Sequence, residues 1–93
     1  MVNYENGKIY KIESHIGEKI YIGSTTKQYL SQRMDKHRSD FKRCDKNDYY
    51  LTSFILFEEY GVENCKIVLL ELCPCTCKDE LLAKEAFHIK QNN

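Results

Sequence analysis

Two runs of alternating polarity sit almost back to back near the start of this chain, and they limit its fold more than any other feature. Gly7 to Ser14 reads Gly-Lys-Ile-Tyr-Lys-Ile-Glu-Ser, and Glu18 to Gly23 reads Glu-Lys-Ile-Tyr-Ile-Gly. Only His15-Ile16-Gly17 separates them. Alternation over this length, rich in Ile and Tyr, marks half-buried strands, and so short a link forces the two to pair antiparallel. On the first strand Lys8, Tyr10 and Ile12 share a face. On the second, Ile20 and Ile22 oppose Lys19, Tyr21 and Gly23.

The period then changes. Ser24-Thr25-Thr26 offers helix caps, and a helix is predicted from Tyr29 to Cys44 on the stripe Leu30, Met34, Phe41 and Cys44. A second is predicted from Asp48, a suitable N-cap, to Tyr60, with Gly61 as the stop. Cys65 to Leu72 reads as a third strand, and its run Ile67-Val68-Leu69-Leu70 suggests burial on both faces. A last helix spans Lys78 to Gln91. The order is ββααβα, an α/β arrangement of the α+β type in which helices cover a three-stranded sheet. Ninety-three residues hold one such domain, 1–93, and no second core.

Three placements resist a purely structural reading. Arg33 and His37 are four apart, on or beside the apolar stripe of the first helix. Either they snorkel out at its edge, or they face a site. Glu85 stands one turn from Leu81 and from Ile89, flanked by Leu82 and Ala86. A carboxylate on such a seam is salt-bridged or holds a hard metal ion. Tyr10 and Tyr21 occupy similar contexts on the paired strands, and Gly23 lets a ligand approach the backbone closely. Together these groups suffice for phosphodiester chemistry: Glu85 for a magnesium ion, Arg33 for the phosphate oxygens, and a tyrosine or histidine for the attacking water.

Charge adds a hint about partners. The chain is neutral overall, but residues 27–46 carry seven Lys/Arg against three Asp, and residues 47–93 carry four Lys against eight acids. Lys36, Lys42 and Lys46 are the basic residues expected to meet a polyanion, with weak, salt-sensitive binding. The five cysteines are an odd number and no leader-like segment precedes them, so they read as free thiols in an intracellular protein that is not secreted. Cys73-Pro-Cys75-Thr-Cys77 lacks the partner pair that a zinc site needs, and a cysteine-based metal or redox protein is the weakest of the readings.

The spacing Lys8-Ile9-Tyr10, Tyr21-Ile22-Gly23, Arg33, His37 and Glu85 resembles the GIY-YIG nucleases, a family of homing endonucleases, restriction enzymes and repair nucleases. Tyr60-Gly61 and Glu85-Ala-Phe-His-Ile89 extend the resemblance over nearly the whole chain. It implies a small three-stranded antiparallel sheet flanked by helices and a DNA endonuclease using one Mg²⁺ or Mn²⁺ ion. It implies Tyr10 and Tyr21 side by side at the scissile phosphate, Tyr10 as base or water-orienting group, Arg33 stabilising the transition state, His37 assisting, and Glu85 holding the metal. A nearby metal and Arg33 would favour the ionised form of Tyr10, with His37 as the rival base. Lys8 stands where the family has Gly, and Lys46 where some members have a second histidine. The family's later Asn has only Asn92 and Asn93 to match it, which reads as a truncation. A catalytically silent module that binds nucleic acid or a protein partner is the alternative. On either reading, no base-reading element is evident in the sequence, so specificity resides in a fused or partner domain or is low.

Overall fold

The structure is a computed structural model that describes residues 3–43 and 53–91. Strand β1 is Lys8–Ser14, β2 is Tyr21–Thr25 and β3 is Cys65–Leu72. Helix α1 is Leu30–Arg43, α2 is Ser53–Tyr60 and α3 is Lys78–Gln91. Short 3₁₀ turns at Tyr4–Asn6 and Val62–Asn64 precede β1 and β3. The expected order ββααβα and the three-stranded antiparallel sheet are both present. Among the described residues, no helix is long and apolar enough to cross a membrane.

The sheet order is β2-β1-β3, so β1 is the central strand. Both of its faces are covered. Tyr10 and Ile12 lie in a core with Met34 of α1, Phe54, Leu56 and Phe57 of α2, and Cys65. Ile9 points the other way, into a second core with Ile22, Cys73, Cys75 and Leu81 of α3. Neighbouring side chains of one strand thus feed opposite layers, as the pleat requires.

This order corrects the expectation for β3. Its apolar run suggested burial on both faces, yet Leu69 and Leu72 are 43% and 61% exposed. An edge strand has one neighbour, and α3 crosses the side of the sheet nearer β2 and β1. The seam expected on α3 is likewise mostly open: Leu81 is buried, but Leu82 and Ile89 are 42% and 40% exposed.

The hairpin link is also longer than expected. β2 begins at Tyr21 rather than Glu18 and runs on through Ser24 and Thr25, which pair with Ile9 and Lys8. Residues 15–20 instead fold over α2. Gly17 lies against the ring of Tyr60, the Lys19 amide donates to the Tyr60 hydroxyl at 3.2 Å, and the Lys19 ammonium pairs with Glu59 at 2.7 Å. Ser24 is therefore a strand residue and not a cap. The start of α1 is secured by Gln32, whose side-chain oxygen accepts from the Tyr29 amide at 3.1 Å. The predicted cap Asp48, with Cys44 and Lys46, lies outside the described residues. Cys65, Cys73, Cys75 and Cys77 carry free thiols.

Candidate active site

The site is assembled where Arg33 and His37 of α1 meet Tyr10 of β1 and Tyr21 of β2. Register places Tyr10 opposite Gly23 and Ile12 opposite Tyr21. Glycine is required at that point, because a Cβ on Gly23 would stand 2.6 Å from the Tyr10 hydroxyl and 3.0 Å from the Tyr21 ring. The two tyrosine rings pack 6.4 Å apart, and the His37 ring meets them edge-on at 6.0 and 5.6 Å. His37 is fully buried, so it does not snorkel. Arg33, one turn earlier, is half-buried and reaches across the Tyr10 hydroxyl.

Hydrogen-bond directions follow from the donor inventory. Arg33 Nε can only donate, and it donates to Tyr10 Oη at 3.1 Å. The single phenolic proton is then left for His37 Nε2, 2.8 Å away. In the tautomer with its hydrogen on Nδ1, that nitrogen is the unprotonated acceptor. Electrostatics agree: burial, and secondarily the Arg33 charge, push His37 down to about 4. His37 is thus neutral at physiological pH and available as a proton acceptor.

Opposing effects act on Tyr10. Arg33 does favour the phenolate, but burial is the larger effect, and the charges of Tyr21 and Glu85 oppose ionisation as well. The hydroxyl is pushed up to about 12, further from a base and not nearer. Tyr10 is also completely enclosed, whereas Tyr21 is half-buried and presents part of its surface to solvent.

Glu85 reaches the same place from α3. It is half-buried, and it is close enough to Tyr10 for its charge to be felt there. Ser24 donates its hydroxyl proton to Glu85 Oε1 at 2.9 Å. Of the two alternatives for this carboxylate, a salt bridge is not what is found among the described residues. Ser24 is the residue that sequence reasoning missed. The signal lay in the alternation of β2, which continues past Gly23 and turns Ser24 toward α3.

Lys36 and Lys42 are not brought to this centre. Lys36 is exposed and pairs with Asp40 at 3.2 Å. Asp40 also takes Arg43, and Asp35 takes Arg38, so acids on α1 itself offset much of its charge. Lys42 follows Arg33 by two and a half helical turns, which sets it on the opposite side of α1. Lys46 lies outside the described residues.

The family model for the GIY-YIG catalytic domain matches residues 6–93. The chain belongs to the GIY-YIG family. It is therefore a member of a nuclease family, whose substrates are nucleic acids. Searches of curated proteins and of solved structures gave no significant match. The GIY-YIG motif accounts for Tyr10, Tyr21 and Gly23 as one packed unit. Lys8, in place of the family's Gly, ties two loops together, because its ammonium donates to the carbonyls of Asn6 and Lys27, each at 2.8 Å.

The close packing at Gly23 has a measurable consequence. Tyr10 is walled in and cannot retreat from an added methyl, so Gly23→Ala should push the ring off Arg33 and His37. Nuclease activity should fall by about 100-fold or more, in the range of one catalytic group. Circular dichroism should still show the folded sheet and helices. Wild-type activity in this variant would mean that the hydroxyl's position is unimportant.

Proposed function

We propose that this GIY-YIG domain is an endonuclease that hydrolyses phosphodiester bonds of DNA with one divalent ion, Mg²⁺ or Mn²⁺. The observation that carries the reading is the chain Arg33–Tyr10–His37, held at 3.1 and 2.8 Å beside a carboxylate from a different helix. A purely structural core does not need a guanidinium and a neutral imidazole on one hydroxyl, with a carboxylate near enough for its charge to be felt there.

The residues fit such an ion. Glu85 offers a hard carboxylate with a hydroxyl beside it, and no group of three or more His, Cys, Asp or Glu side chains gathers among the described residues. Magnesium is commonly held by one or two carboxylates with substrate phosphate and water completing the shell. When bound at Glu85, the ion would neutralise phosphate charge and acidify a coordinated water.

The protein groups divide the remaining work. Tyr10 accepts from Arg33 Nε and so aims the guanidinium, leaving the two terminal nitrogens to grip phosphate oxygens as charge builds. Neutral His37 fixes the Tyr10 proton and can take it if the hydroxyl receives one from water. Tyr21, the tyrosine with solvent-facing surface, orients the incoming water.

The direct test is supercoiled plasmid incubated with magnesium, with manganese and with a chelator. Nicked circles should form first, because one site cuts one strand, and the chelator should stop the reaction. Arg33→Lys should lower turnover by about 100-fold with little change in KM, since lysine keeps the charge but loses the fork. Plasmid that is bound but never cut under any metal would favour the silent binding module instead.

A further inference from the structure

A groove adjoins the candidate centre. Ser24 and Arg33 of the centre line it together with Tyr4, Thr26, Lys27 and Lys78, over the apolar side chains of Leu81 and Leu82. Three of its lining residues are cations and none is an acid. The contrast is with a chain of zero net charge whose second half is acidic.

The lysines differ in how they are occupied. Lys11, Lys19, Lys36, Lys66 and Lys84 each pair with a carboxylate. Among the described residues, Lys27 and Lys78 do not; nor do Lys8, whose ammonium is taken by two carbonyls, and Lys42 and Lys90, which do not line the groove. The backbone under Lys27 is also fixed. Its amide donates to Thr25 Oγ1 at 3.1 Å, and its carbonyl accepts from Lys8, which ties the loop to the turn carrying Tyr4. A held backbone presenting an unpaired ammonium beside hydroxyl groups suits a phosphate diester, whose oxygens accept from both.

We infer that this groove carries the strand being cut, with Lys27 and Lys78 each neutralising one phosphate near the scissile one. The inference rests on the nuclease reading and names the path of its substrate. It moves the main electrostatic contact from the outer face of α1 to the gap between the end of β2 and the start of α3. Lys27 and Lys78 act on binding, not on the chemical step.

The test uses the whole chain carrying Glu85→Gln, so that DNA stays intact, and a fluorescein-labelled DNA duplex of about 20 base pairs, long enough to cover a domain of this size. Affinity is measured between about 50 and 200 mM salt. Adding Lys27→Ala and Lys78→Ala should weaken binding about tenfold and lower the salt slope by nearly two, about 0.9 for each phosphate no longer neutralised. Adding Lys36→Ala and Lys42→Ala instead should change affinity less than about twofold and leave the slope alone. In the cutting enzyme, the Lys27/Lys78 pair should raise KM and spare kcat. Unchanged affinity and slope in that pair, or no duplex binding by the parent protein, would overturn the groove. Absence of cutting by the wild-type chain would overturn the nuclease reading alone, because the binding comparison does not require cleavage.

Discussion

Glu85→Gln is expected to keep the fold and to lose metal-dependent cleavage, by about 1000-fold at saturating magnesium. The substitution preserves shape and keeps an oxygen for the Ser24 hydroxyl, now 2.9 Å from Oε1. What it removes is the negative charge that a hard cation needs. Loss of the several kcal/mol that a bound ion contributes to charge stabilisation corresponds to a factor of that size. Melting curves give a second readout. Magnesium should raise the Tm of the wild-type protein, since a ligand bound only by the folded state stabilises it, and should not raise that of the variant. Ser24→Ala should be milder, about tenfold, because it only loosens the orientation of a carboxylate that remains. Full activity of Glu85→Gln would remove Glu85 from the site.

Tyr10→Phe carries the second large effect, about 100-fold in turnover. The ring is retained, so the core around Met34, Phe54 and Phe57 is preserved. The hydroxyl's two bonds are lost together: Arg33 Nε loses the acceptor that aims it, and buried His37 Nε2 loses the phenolic proton. If Tyr10 works by aiming Arg33, Tyr10→Phe and Arg33→Lys combined should be little worse than either alone. Tyr21→Phe leaves that bond intact and should add to Arg33→Lys independently. The pH profile discriminates further. With Tyr10 pushed up to about 12, only about one hydroxyl in 10⁵ is ionised at pH 7. A rate carried by the phenolate would climb about tenfold per pH unit far above neutral. Instead the rate should be flat from about pH 6 to 9. It should decline as pH falls toward about 4, where His37 takes a proton and can no longer accept from Tyr10. A steep alkaline limb that vanishes in Tyr10→Phe would return the base role to Tyr10.

The same His37 shift bears on stability. Its folded value lies below the ordinary 6.5, so the unfolded chain binds the proton first as pH falls. Stability from burying neutral His37 is fully present above about 6.5 and is lost as pH drops through about 4.

Much of this was legible in the order of residues, because periodicity is a local property. Alternation from Gly7 to Gly23 specified two paired strands, and a 3.6-residue stripe specified α1 with Arg33 and His37 on or beside it; that they turn inward was decided by the fold. The convergence of Tyr10, Arg33 and His37 followed once α1 packed on the sheet face that carries Tyr10. What no local pattern encodes is which strand becomes central. The run Ile67–Leu70 is the more apolar, yet β1 takes the middle, because sheet order is set by pairings between segments far apart in the chain. From that choice came the rest: β3 left open at Leu69 and Leu72, Ser24 drawn into β2 within reach of Glu85, and Lys27 fixed by Lys8. The acidity of Tyr10 was decided there too. A neighbouring arginine argued for ionisation, but enclosure on both sides of a central strand argued harder against it, and burial is a property of the assembled fold alone.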